Sequence, residues 1–173
     1  LRKGIFYPAE QSYVFDFPDF TNRNMPRLHN DSEIALCMDT LALGKQALIF
    51  VGARRSAEAS AEKISAAMGK LLGEKERSEL AKLSKEIENA LSSPTKQCRR
   101  LAAIVKNGAA FHHAGLVAKQ RKLIEDNFKA GAIKFICATS TLFFGVNLPA
   151  YRGLIRDAKR YGGDDYGTYY IPN

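Results

Sequence analysis

The chain has 173 residues, 46% hydrophobic and 25% charged, a size and balance suited to one globular domain with its own core. No apolar run reaches the length of a membrane span, and the N-terminus lacks the design of a signal peptide. Three cysteines, Cys37, Cys98 and Cys137, are odd in number and unpaired in spacing, which fits reduced buried thiols rather than a disulfide framework or a zinc site.

Gly4 to Pro8 and Tyr13 to Phe17 alternate enough to suggest short extended segments, with a Pro-, Asn- and Asp-rich loop from Phe17 to Asn30. Ser32 is placed to cap an apolar helix that closes at Leu43-Gly44. Ala47 to Val51 reads as a strand, and Ser56 as the start of an Ala-rich helix ending near Gly69. Glu74 to Leu91 carries charges at helical spacing around an apolar stripe of Leu80, Leu83, Ile87 and Leu91. Pro94 and Gly108 frame another helix. Ala109 to Phe111, Ile133 to Ala138 and Leu154 to Arg156 supply further strands, with a helix from Val117 to Ala130. Strands that alternate with helices predict an α/β fold, a parallel sheet covered on both faces.

The net charge of +8 is unevenly spread. Residues 1–92 hold 13 Lys+Arg and 13 Asp+Glu, whereas residues 93–173 hold 13 against 5, so the second half carries the whole excess. A one-sided basic surface suits a polyanionic partner, though a generically basic surface gives the same count.

The segment Ala138 to Ala150 (ATSTLFFGVNLPA) is the most informative. The hydroxyls Thr139, Ser140 and Thr141 follow a strand at the edge where open α/β sheets bind anions on backbone amides. An ordinary strand-to-helix connection with Thr/Ser caps reads the same way. The segment resembles motif V of superfamily 2 helicases in the variant typical of the Ski-like branch, which includes archaeal DNA-repair helicases and the helicase domain of DNA polymerase theta. Two further blocks match in order: Gln46 to Glu58 (QALIFVGARRSAE) resembles motif IV, and Phe111 to Leu116 (FHHAGL) with Gln120-Arg121 resembles the block between motifs IV and V.

The resemblance implies a RecA-like helicase C-terminal domain, of the P-loop NTPase type but without a P-loop, occupying residues 1–173 as the second of two motor domains. No G-x-x-x-x-G-K-[ST] or D-E-x-H motif occurs, and Q-x-x-G-R-x-G-R is missing, so the chain reads as a fragment cut before motif VI and unable to hydrolyse ATP alone. By the same resemblance Thr139, Ser140 and Thr141 contact nucleic-acid phosphate, and Arg54, Arg55, His113, Gly115 and Arg121 line the same path. Arg54 and Arg55 read equally well as exposed arginines in a helix's first turn. Gly145 permits a backbone turn, and Asn147 stands where many relatives carry an Asp facing nucleotide or the other domain. Val117 replaces the family's capping Thr, so the helix it opens lacks a capping box.

His112-His113 has no Cys, Asp or Glu at ligand spacing beside it, so it is read not as a metal site but as a loop in which one imidazole hydrogen-bonds while the backbone around Ala114-Gly115 approaches a phosphate. Leu154 to Tyr161 and Tyr166 to Ile171 are extended candidates around a Gly-Gly-Asp-Asp turn. The resemblance implies a strand-separating hairpin there, with Arg156, Lys159, Arg160, Tyr161 and Tyr166 as its working residues; a plain surface hairpin is the alternative. The partners implied are single-stranded and forked DNA and the first RecA-like domain of the same chain, with no membrane. ATP and Mg2+ would be bound mainly by that first domain, in a cytoplasmic, nucleoid-associated protein. An RNA helicase of the same branch, a non-catalytic nucleic-acid-binding module, and a small-molecule α/β enzyme remain open on the residues alone.

Overall fold

The structure is a computed structural model that describes residues 3–139, 142, 148–157, 159–161 and 168–170, for the last two stretches at the level of the backbone. It is an α/β fold. Four parallel strands, β4 (Ala47–Phe50), β5 (Ala109–His112), β6 (Phe135–Ala138) and β7 (Arg152–Ile155), form one sheet in the order β5-β6-β4-β7. β5 and β6 are buried at every position, as expected of strands covered on both faces. Among the described residues, five helices flank the sheet: α1 (Ser32–Ala42), α2 (Arg54–Met68), α3 (Glu74–Glu88), α4 (Lys96–Val105) and α5 (Ala118–Lys129). This arrangement is that of a RecA-like layer.

One core cluster joins sheet and helices: Ile49 and Phe50 of β4, Ile64 and Met68 of α2, Leu80, Leu83 and Ile87 of α3, Leu101 of α4, Ile124 and Phe128 of α5, and Phe135 and Ile136 of β6. The α3 stripe is therefore the core-facing one expected, except that Leu91 lies beyond the helix end at Glu88. Gln46 ties the starts of β4, β6 and β7. Its side-chain amide donates to the carbonyls of Phe128 and Ile133, at 2.7 and 2.6 Å. Its own carbonyl accepts from the amides of Tyr151 and Arg152.

The N-terminal residues fold into a separate antiparallel meander, β1 (Ile5–Pro8), β2 (Ser12–Asp16) and β3 (Asn22–Pro26). β3 falls where a loop is predicted. Only Met25 of its five residues is buried, so the strand shows no alternation in sequence; its pairing with β2 and the contact of Met25 with Tyr13 and Ala35 make it. Tyr13 is fully buried and its hydroxyl donates to the carbonyls of His29 and Asn30, which fastens the meander to the start of α1.

Three helix starts shift from their predicted places. Asp31, not Ser32, caps α1: its carboxylate accepts the Glu33 and Ile34 amides and is held by Lys63. α2 begins at Arg54, two residues before Ser56, after an extended Ala53 that gives no side-chain cap. α4 is capped by Thr95 rather than opened by Pro94. Past β7, the strands β8 (Lys159–Tyr161) and β9 (Thr168–Tyr170) pair antiparallel, in accord with the expected C-terminal hairpin.

Candidate nucleic-acid interface

Phe50, His112, Ala138 and Ile155 are register partners across the sheet, so all four parallel strands end at one line. The chain leaves that line at four adjacent places: Val51 to Ala53, His113 to Gly115, Thr139, and Arg156-Asp157. Adjacent strands lie about 4.8 Å apart. Residues far apart in sequence are thereby set side by side at the edge where parallel α/β sheets bind ligands.

Two helices present their N-termini here without a side-chain cap. Ala53 cannot cap α2, and Val117 caps α5 with no side-chain bond. Gln120, at the third position of α5, is turned into the core, where its amide donates to the Ile87 carbonyl. The first amides of both helices thus stay open to an anion. Arg54 and Arg55, both exposed, occupy the first turn of α2, where a cation works against the helix dipole and an anionic ligand would relieve that opposition.

His113 organises the β5 loop. It is buried at 1% exposure and stacked on Phe111 with ring centroids 5.3 Å apart. Its Nε2 lies 3.2 Å from Glu58 Oε1, and its Nδ1 accepts the Gly115 amide at 3.1 Å. Ala114 and Gly115 are exposed. A Cβ on Gly115 would come within 3.0 Å of His113 Nδ1 and 3.6 Å of an Arg54 guanidinium nitrogen, so the glycine brings this backbone close to both. Burial lowers the His113 pKa below its ordinary 6.5, more than the hydrogen bond to Glu58 raises it, and Arg54 lowers it further. His112 pairs with Glu125 at 2.9 Å, and burial likewise lowers its pKa.

The other predicted residues fall into three groups. Thr139 belongs to the cluster: its amide bonds the His112 carbonyl. Arg121, in the first turn of α5, donates to the Leu116 carbonyl and so closes the loop that carries Gly115. Arg156 sits at the end of β7, before the hairpin strands, and is engaged within the body of the fold. Its guanidinium forks onto Asp157 at 3.1 and 3.0 Å, bonds Ser60 Oγ at 2.5 Å, and lies 3.9 Å from the buried Glu33. Lys159, Arg160 and Tyr161 form β8, and their side chains lie outside the description. Ser140, Thr141, Gly145, Asn147 and Tyr166 lie outside the described residues.

Two residues at the site escaped the reading of the sequence. Glu58 accepts from His113, from Gln97 at 3.1 Å and from Arg100. Its signal was its place one helical turn after Arg54, on the face that meets β5. Asp157 accepts the Gly52 amide at 3.0 Å and so joins the loops after β4 and β7. A contact between residues 105 apart leaves no local signature.

No protein-family model matches the chain. Proteins named ATP-dependent DNA helicase Hel308 do match it: 37% identical in Methanocella arvoryzae, 38% in Pyrococcus horikoshii and 40% in Pyrococcus abyssi, each over 99% of this chain. The chain spans 22% of the length of each of these relatives. Across nearly its whole length, then, the chain is homologous to one segment of the archaeal Hel308 ATP-dependent DNA helicases, as the motifs of a Ski-like superfamily 2 helicase domain led us to expect.

Proposed function

We propose that the chain is the second motor domain of an ATP-dependent 3′–5′ DNA helicase, gripping single-stranded DNA by its phosphates and forming one wall of the interdomain ATP cleft. The observation that carries this reading is the common line at which β4, β5, β6 and β7 end, which gathers Arg54, His113, Gly115 and Thr139 beside two helix N-termini without side-chain caps. Open amides and exposed guanidinium groups bind phosphate without reading bases, as a translocating motor requires. The basic excess of residues 93–173 raises the local concentration of a polyanion.

In this reading Thr139 and Arg54 meet phosphate directly, Gly115 offers backbone, and Arg121 shapes the loop that carries Gly115. The β8–β9 hairpin, rooted at Arg156-Asp157, separates strands of forked DNA. By the motif V resemblance, Thr139, Ser140 and Thr141 are assigned to contact with the tracked strand, and Gly145 and Asn147 to the nucleotide and the partner domain. The sequence offers ATP no phosphate loop, so ATP and Mg2+ are assigned to a first RecA-like domain and no step is routed through them here.

The test is anisotropy of a labelled single-stranded oligonucleotide titrated with the chain across a salt series. Dissociation constants of roughly 10⁻⁴ to 10⁻⁶ M are expected, rising steeply with salt. Thr139→Ala and Arg54→Ala should weaken binding of all sequences alike. Loss of the Arg54 cation should also reduce the salt slope by about 0.7. Binding indifferent to salt or to both substitutions would refute the phosphate grip.

A further inference from the structure

We propose that Glu58 is a positioning residue for the Ala114–Gly115 turn, acting through a neutral His113 that carries its proton on Nε2. The assignment follows from which groups can donate. The Gly115 N–H is a donor, so His113 Nδ1, 3.1 Å away, is its acceptor and bears no proton. The proton of the neutral ring is then on Nε2, where it meets Glu58 Oε1 at 3.2 Å. The carboxylate selects the tautomer, and the tautomer makes the bond that fixes Gly115.

Glu58 is itself fixed from the far side. Gln97 donates to Oε1 at 3.1 Å, and Arg100, which also grips Glu62, donates to Oε2. The chain of contacts therefore runs from α4 through Glu58 and His113 to the exposed turn. Stacking on Phe111 holds the ring plane, and a Cβ at position 115 would come within 3.0 Å of Nδ1, so a glycine is what lets the turn lie this close to the ring. A protonated His113 would present a donor to the Gly115 N–H and lose that bond. Of the charged groups around the ring, Glu58 favours protonation, whereas Arg54 on α2 opposes it.

The role of the turn rests on the phosphate-grip reading; the tautomer and its effect on Gly115 are read independently of DNA. In the 15N-labelled chain near neutral pH, His113 should show a pyrrole-type Nε2 and a pyridine-type Nδ1. Amide hydrogen exchange at Gly115 should quicken about threefold to tenfold in Glu58→Ala, the range for one lost hydrogen bond. In Glu58→Gln, which keeps an acceptor for Nε2–H, it should stay close to the parent rate. Oligonucleotide affinity should follow the same order, falling in Glu58→Ala and largely restored in Glu58→Gln. A protonated Nδ1 at neutral pH, or equal Gly115 exchange in the two variants, would overturn the proposal. If the unmodified chain binds no oligonucleotide while the tautomer and exchange behave as stated, the phosphate grip fails and the His113–Glu58 geometry stands.

Discussion

Replacing Asp157 by Ala tests how the hairpin root is held. Asp157 accepts the Gly52 amide at 3.0 Å and takes two bonds from Arg156 at 3.1 and 3.0 Å. A hydrogen bond to a charged acceptor contributes about 1.5–3 kcal/mol, and the low end applies to a side chain that is 34% exposed. Arg156, at 33%, is as open to solvent, so the ion pair adds only about 0.5 kcal/mol. The loss should therefore be about 2 kcal/mol in urea unfolding followed by circular dichroism. Asp157→Asn keeps a neutral acceptor for Gly52 and should lose about half of that.

The pH dependence provides a second check on the same residue. The bonds from Arg156, then the amide of Gly52, hold the Asp157 pKa below its ordinary 3.8 despite partial burial. With the folded pKa depressed, the stabilisation is complete above 3.8 and is lost as pH falls through the folded value. The gap between parent and Asp157→Ala should shrink in that acid window. Equal stabilities near neutral pH, or a gap that persists unchanged into acid, would refute the brace.

Two further predictions concern the buried groups. Because burial depresses the pKa values of His112 and His113, the unfolded chain binds protons first, so stability should start to fall as pH drops below 6.5. Unfolding free energies measured across that point should show a slope that the double substitution to Gln flattens. Cys37, Cys98 and Cys137 should resist a thiol reagent in the native chain and all three should react in urea. Under mild urea, peptide mapping should find Cys98 labelled first. Burial raises the thiols of Cys37 and Cys137; at Cys98 burial also pushes upward, but hydrogen bonds with Thr95, Gln120 and the backbone together outweigh it and lower the thiol. Early labelling of Cys137 would contradict that order.

The sheet was legible because its strands are short apolar runs between helices, as in Phe135–Ala138, and parallel packing hides both faces of such runs. Helix α3 was legible from Leu80, Leu83 and Ile87 at helical spacing. β3 was not, since Met25 alone faces inward and its pairing is decided by a strand elsewhere in the chain. The start of α1 moved because Asp31 and Ser32 are both good caps in sequence, and only the folded chain shows Asp31 accepting the Glu33 and Ile34 amides with Lys63 behind it. At the site, the motif residues Arg54, His113, Gly115 and Thr139 were readable as separate blocks. Their convergence depends on strand order, and no block states that β6 lies between β5 and β4. Glu58 and Asp157 were missed for that reason: each is defined by a partner on another strand's loop. Arg156 was placed among the working residues of the hairpin because its neighbours are basic and aromatic, whereas its contacts with Asp157, Ser60 and Glu33 make it part of the root.

The four bonds made by Gln46 have a mechanical consequence. A load applied to the loops at one end of a parallel sheet is carried along the strands and tends to slide each past its neighbour. Here the opposite end is stitched: one residue fastens the start of β4 to that of β7 through its carbonyl, and to the carbonyls of Phe128 and Ile133 through its amide. The sheet is thus clamped at the end away from the candidate interface, like a comb held by its spine. Its teeth can yield at the tips while the spine keeps β4, β6 and β7 in register.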